Sequence, residues 1–248
     1  MLVAASTECY PGESLQTAVD RLVDLEYTNI EIAIGDNAQI TPAEVMGDFD
    51  ETVNRCLSTR RLNVVAYAVD LPIDGQEYYD QFHAICRLAK ATKVVTLIVP
   101  SAELGTPFNE EVERLRKLVS IADLEGARVA MRSQVGCLTE DPDTITVLCD
   151  NAKGLGLCFD PSHYICRPER PRNVDKLMKY VYHVHLRDTS KDELQVRIGK
   201  GEVDYGRLVG LLEKVKYSRA LSVHLQPMPD VDHMAEMRKM RLLLESLL

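Results

Sequence analysis

The sequence lacks the cysteine pattern of a stapled or zinc-bound domain. Its seven cysteines, at positions 9, 56, 86, 137, 149, 158 and 166, include no CxxC pair and are odd in number. They read as reduced thiols of a cytoplasmic protein, with no disulfide framework and no structural zinc knuckle. Long hydrophobic runs are missing too. The longest, Val94 to Val99, is broken by Thr96 and falls far short of the roughly 20 residues that span a bilayer. The opening segment, MLVAASTECYPGES, has neither a basic n-region nor a long apolar h-region, so no signal peptide is expected. Cations are in deficit: 29 Lys and Arg face 38 Asp and Glu, a net charge of −9. Binding along nucleic-acid phosphates or an anionic membrane needs a clustered excess of cations, so neither partner is expected. No Gly/Ser/Pro linker divides the chain, and no GxGxxG loop follows its first apolar run.

What the sequence does have is enough apolar material for a substantial core, 46% hydrophobic against 27% charged residues, in 248 residues with one repeating pattern. A short apolar run is followed by an amphipathic helical segment, eight times. The runs are Leu2–Ala5, Ile30–Ile34, Val64–Val69, Val94–Val99, Val129–Met131, Leu157–Phe159, Val181–Leu186 and Ala220–Leu225. Val, Ile and Leu dominate them with little alternation, as strands buried on both faces require. Helix starts are readable between the runs. Thr41-Pro42-Ala43-Glu44 spells a capping box with proline at the first helical position, Ser14 and Asp204 stand at N-cap positions, and a last helix runs from about Asp232 to Leu247. Eight units of about 31 residues each match the length of a strand–helix repeat. With no dinucleotide fingerprint, eight such units predict an α/β fold, a single-domain (β/α)8 TIM barrel over residues 1–248, with its chemistry where strands end.

The strand ends are rich in polar groups. Four of the six histidines lie on the last three strands or just beyond them. His183 and His185, two apart, face the same side of the seventh run; His185 is expected at the mouth, with His183 a core histidine one layer down. Asp160 ends the sixth run and His224 the eighth, so both should reach that mouth. Glu8, Glu31 and Asp70 are further pocket polar groups. Arg167-Pro168-Glu169-Arg170-Pro171-Arg172 follows the sixth strand, where it would serve either as a lid over an anionic substrate or as a solvated loop.

Three of these segments carry a resemblance. Gly156-Leu157-Cys158-Phe159-Asp160-Pro161-Ser162-His163 resembles the sixth strand of the xylose isomerase-like TIM barrels, a superfamily of sugar isomerases and epimerases, inosose dehydratase and endonuclease IV. Tyr182-His183-Val184-His185-Leu186-Arg187-Asp188 resembles its seventh strand. Gly199-Lys200-Gly201-Glu202-Val203-Asp204-Tyr205 resembles the G-x-G-x-x-D-[FY] loop that follows, and Leu221-Ser222-Val223-His224-Leu225 falls where the family's last strand usually ends in glutamate. The resemblance covers the C-terminal 120 or so residues; the N-terminal half agrees in periodicity more than in motif. It implies a divalent ion (Mn, Zn, Mg or Co) held by Glu, Asp, His and Glu on strands five to eight. Carried over, the Asp is Asp160 and the His is His185, but Arg132 and His224 stand where the two glutamates belong.

That exchange removes all but one of the set's negative charges and adds a cation. A guanidinium about 5 Å from a divalent ion costs roughly 6–7 kcal/mol at an effective dielectric near 20, almost five decades in affinity. Two arrangements follow. Arg132 turns inward, expels the ion and pairs with Asp160; or it leans aside and Asp160, His185 and His224 form a two-histidine, one-carboxylate metal triad. In the first, His224 serves as base and Arg132 as the fixed positive charge beside a developing enediolate, with Asp160 and His185 completing the catalytic group. His163, Glu31, Glu8 and Arg187 are the expected substrate contacts. The expected activity is proton transfer next to the carbonyl of a small polyhydroxylated compound, a sugar or sugar phosphate; the alternative is a non-catalytic descendant that binds a sugar-like or acidic ligand.

Overall fold

The computed structural model describes residues 1–166 and 173–248. Eight parallel strands, β1 (Leu2–Ser6), β2 (Asn29–Gly35), β3 (Asn63–Asp70), β4 (Thr96–Val99), β5 (Arg128–Arg132), β6 (Gly156–Phe159), β7 (Val181–Leu186) and β8 (Ala220–Val223), close in chain order into a barrel. β8 returns to β1 with Leu2 opposite Ala220 and Ala5 opposite Val223. The expected single-domain (β/α)8 barrel is therefore what the chain forms. Its outer helices include α1 (Leu15–Asp24), α2 (Pro42–Gly47), α3 (Phe49–Leu57), α4 (Gly75–Ala91), α5 (Phe108–Leu124), α6 (Pro142–Asn151), α7 (Ser162–Ile165), α8 (Tyr205–Lys214) and α9 (His233–Glu245). No helix among the described residues is long and apolar enough to cross a membrane.

The helices begin where side chains satisfy their free N–H groups. Ser14 Oγ accepts from Thr17 N at 3.2 Å, Asp204 Oδ1 from Arg207 N at 2.8 Å and Asp232 Oδ1 from Ala235 N at 3.1 Å. At α2 the box is complete: Glu44 N donates to Thr41 Oγ1 at 3.2 Å and Thr41 N to Glu44 Oε2 at 2.7 Å. Two strands are shorter than their apolar runs. β4 starts at Thr96 because Val94 N is taken by Ala89 O, in the turn that closes α4 with Lys93 in the left-handed region. β8 ends at Val223, although His224 N still donates to Leu186 O at 2.9 Å and so keeps the strand's direction.

Period-two alternation sorts the strand side chains into two layers. Ile30, Ile32, Ile34, Tyr67, Leu97, Val129, Met131, Leu157 and Phe159 join the helix-facing core. Ala66, Ile98, Ala130 and Cys158 form a smaller cluster inside the barrel. The inward positions nearest the mouth then follow from the same alternation: Ala33 and Gly35 on β2, Ala68 and Asp70 on β3, Arg132 on β5, and Asp160, Arg187 and His224 just past β6, β7 and β8. Glu8 comes from the short 3-10 turn Thr7–Cys9 that follows β1. The barrel is apolar on its outside face and charged at its C-terminal end.

Candidate active site

A chain of contacts crosses this mouth. Arg187 Nη2 donates to Asp160 Oδ2 at 3.0 Å and meets His224 Nδ1 at 2.6 Å. A guanidinium only donates, so Nδ1 is the acceptor and the ring proton sits on Nε2. His224 Nε2 therefore donates to Glu8 Oε2, 2.8 Å away. Arg132 Nη2 approaches the same Glu8 oxygen at 3.5 Å. Asp160 Oδ1 accepts from Ser162 N at 2.9 Å and Ser162 Oγ at 2.5 Å, contacts supplied by the first turn of α7. His163, one residue on, accepts from Val135 N at Nδ1 and points Nε2 at Asp160 Oδ2, 3.6 Å away. These contacts fix the protonation states. Burial raises the Glu8 carboxyl, but the Arg132 charge and the His224 bond outweigh it and hold Glu8 at about 2. Burial is likewise outweighed at Asp160, where Arg187 keeps the carboxyl well below its usual range.

One layer deeper, Glu31 is fully buried between two histidines. His185 Nε2 lies 3.0 and 2.9 Å from the two carboxylate oxygens, and His183 Nε2 lies 2.7 Å from Oε2 without hydrogen-bond alignment. Burial lowers His185 to about 4, so it is neutral near pH 7. Its ring stacks on His224 with centroids 4.5 Å apart and planes 3° from parallel. Glu31 thus anchors His185, and His185 supports His224.

The arrangement differs from the expected pairings in several places. Asp160, His185, Arg132 and His224 do converge on one region, but Arg132 does not pair with Asp160; Arg187 does, because it projects from β7 directly beside Asp160, whereas Arg132 reaches across to Glu8. His183 lies one layer down in the core, and there shares the Glu31 carboxylate. Glu31, expected among the pocket contacts, is sealed beneath them. Arg187, an expected substrate contact, bridges Asp160 and His224, and its alternation with His183 and His185 is what puts it on the inner face of the seventh strand. The Arg167 to Arg172 segment lies outside the described residues.

A cavity of about 400 Å³ opens beside this network. It is lined by Glu8, Asp36, Asn37, Asp70 and Gln226 among others, over a floor of Ala33, Gly35 and Ala68. Gly35 is required there, since a Cβ would meet Asp70 O at 2.7 Å. The glycine loop after β7 is held equally closely. Gly199 N and Gly201 N both donate to Asp188 Oδ2, at 2.7 and 3.0 Å, and a Cβ at Gly201 would strike the same carboxylate. The loop fastens the segment following Arg187.

Two groups of side chains offer donors for a divalent ion. Asp160 and His224 already share a cation, the Arg187 guanidinium, and Arg132 adds a second positive charge, so Asp160, His185 and His224 do not fit an ion in this arrangement. Glu31, His183 and His185 offer two nitrogens and an oxygen within 4.8 Å of one another, a donor set and spacing that suit zinc or a similar ion. The unaligned His183 nitrogen belongs to this set.

The xylose isomerase-like TIM barrel family model matches residues 19–243, and the chain belongs to that family. Comparison with curated proteins found no match. Among solved structures, the chain is similar to a D-tagatose 3-epimerase-like protein, at 15% identity and a TM-score of 0.75, covering 100% of this chain and 98% of the other. It is similar to the IOLI protein solved with a binding zinc atom, at 16% identity and a TM-score of 0.75, with the same coverage. It is also similar to a xylose isomerase-like TIM barrel protein from Mycobacterium smegmatis in complex with magnesium, at 13% identity and a TM-score of 0.77, covering 100% and 98%.

Proposed function

We propose that this protein is a sugar or sugar phosphate isomerase or epimerase that moves a proton at the carbon next to a carbonyl. The observation that carries the reading is the Glu8 carboxylate, which lines the cavity while His224 and Arg132 hold it from behind. His224 is engaged at both nitrogens, so the proton-moving group is Glu8 and His224 orients it. Arg187 and Asp160 fix the His224 tautomer in turn. Glu8 is a weak base while Arg132 faces it. A bound carbonyl oxygen that takes the Arg132 charge, together with exclusion of water, raises Glu8 toward useful basicity. The same Arg132 then balances the enediolate that forms, in a water-poor site where such a charge is most effective. The epimerase-like name of the structural neighbour supports this class of chemistry.

A divalent ion held at Glu31, His183 and His185 would supply Lewis acidity beneath the cavity. Those residues carry a single negative charge, and two guanidiniums stand above them, so an ion there would be weakly held. The proton transfer assigned to Glu8 and Arg132 runs on the chain's own groups.

The test is solvent exchange. Chelator-treated protein in deuterium oxide should wash out the hydrogen next to the carbonyl of one or more ketoses or ketose phosphates, read by proton NMR. Glu8→Gln should slow that exchange by about 10²–10⁴-fold. No exchange with any ketose, aldose or phosphate, with or without metal, would favour the non-catalytic binding descendant.

A further inference from the structure

The cavity has a second carboxylate in a position that the proton transfer to Glu8 leaves unused. Asp70 ends β3, directly opposite Gly35 of β2, and Ala68 lies opposite Ala33. On the other side of β2, Ser6 of β1 pairs with Glu31, and Thr7 Oγ1 accepts from Ala33 N at 2.9 Å, which places Glu8 alongside Ala33. Glu8 and Asp70 therefore rise from strands on either side of β2. Two strand spacings separate their backbones, about 9–10 Å. What lies between them is the floor of Ala33, Gly35 and Ala68, which puts almost no side chain into the gap. The cavity is the space left by that strip, and a carboxylate stands at each edge. One sugar carbon with its substituents fits between two such groups, exposed to one on each face.

The two edges are dressed differently. Glu8 is held by His224 and Arg132. The Asp70 side chain makes no hydrogen bond or ion pair with any described residue, and the residue is exposed to solvent. The charge of Asp70 also reaches Arg132. A positive group is thus shared by both edges, where an oxygen bonded to the central carbon's neighbour would lie.

We propose that Asp70 is the second catalytic acid–base of this site, acting on the face of the substrate carbon opposite to Glu8, so that the site inverts that carbon. This rests on the proton-transfer reading above and assigns it to epimerisation. Glu8 takes the proton from carbon, the C–H electron pair moves into the carbonyl to give an enediolate beside Arg132, and Asp70, which takes its proton from water at the exposed edge, returns one to the opposite face. The reverse direction uses the same groups in exchanged roles. No oxidant, reductant or co-substrate enters, and atoms and charge balance over the cycle.

The experiment compares both epimers of a ketose that the wild-type protein exchanges, in deuterium oxide, with Glu8→Gln and Asp70→Asn. Wild-type protein should interconvert the epimers and label both. Asp70→Asn should slow interconversion by about 10²–10⁴-fold while one epimer still exchanges its hydrogen through Glu8. Glu8→Gln should preserve exchange of the other epimer alone. Circular dichroism and thermal melting of Asp70→Asn, an exposed position, check that the fold is intact. Exchange by wild-type protein that Asp70→Asn leaves unaltered for both epimers, or abolishes for both, overturns the role of Asp70 and leaves the role of Glu8 standing. Absence of exchange by the wild type overturns both.

Discussion

Arg187 sits on Asp160, with Nη2 3.0 Å from Oδ2, at the place where the resemblance to sugar isomerases puts a divalent ion. The same nitrogen reaches His224 at 2.6 Å, so one guanidinium bridges two of the groups that an ion would have to bind. A planar, permanently charged group with several donors can stand in for an ion as a structural counter-charge. It offers no open coordination position. That substitution explains why the rest of the network turns toward Glu8: with Asp160 satisfied by Arg187, the second cation, Arg132, is free to serve another carboxylate.

The bridge makes Arg187→Ala informative. Both Asp160 and His224 are buried, so removing the cation strands a charge in the barrel mouth and should cost about 3–5 kcal/mol of stability. It also frees Asp160, His185 and the His224 Nδ1 lone pair to act as a two-histidine, one-carboxylate set. Adding zinc or manganese should therefore raise the melting temperature of the variant and leave that of the wild type nearly unchanged. A variant that metal does not stabilise would mean that the three side chains cannot converge on an ion even without the guanidinium.

Most of the barrel was legible because its strands are fully buried and its helix starts are chemical. Eight apolar runs gave eight strands, and Thr41, Ser14, Asp204 and Asp232 cap as their residue types dictate. The site was legible as a location and less so as a wiring diagram. Alternation places Asp160, His185, Arg132 and His224 on inner faces, but which cation meets which carboxylate depends on side-chain reach across a closed barrel. Arg132 and Asp160 come from adjacent strands and look paired in sequence; Arg187, on the other neighbouring strand, takes Asp160 instead. The link between Glu31 on β2 and His183 and His185 on β7 spans the barrel interior, and no local pattern announces a contact 154 residues apart.

Metal content follows from the same charges. Wild-type protein dialysed without chelator should carry well under one equivalent of divalent metal, because its one suitable donor set among the described residues has a single carboxylate beneath two guanidiniums. Elemental analysis measures it. If an equivalent is found, His183→Ala identifies its place: loss of the ion puts it at Glu31, His183 and His185, while retention puts it at Asp160 and shows the Arg187 bridge to be displaceable.

Acid should destabilise this protein more steeply than its surface charge alone would. Glu8 is held at about 2, and Asp160 and Glu31 also titrate below their ordinary range. At all three, burial acts upward and is outweighed, by Arg132 and His224 at Glu8, by Arg187 and His163 at Asp160, and by His185 and His183 at Glu31. A carboxyl that is more acidic in the folded state than in the unfolded chain stabilises the fold above its unfolded value, about 4. That contribution disappears as pH falls toward the folded value, because the unfolded chain takes up protons first. Stability to urea should accordingly begin to fall below about pH 6.5, where the unfolded chain protonates His185 and the folded protein does not, and fall more steeply between about pH 4.5 and 2 as the carboxylates follow. Glu8 alone accounts for about 3 kcal/mol at most on this linkage. Glu8→Gln removes one titrating group and should make the acid limb shallower, with lower stability at pH 7 and a smaller difference from the wild type at pH 3. An acid limb of unchanged slope in Glu8→Gln would show that Arg132 and His224 do not hold Glu8 ionised in the folded protein.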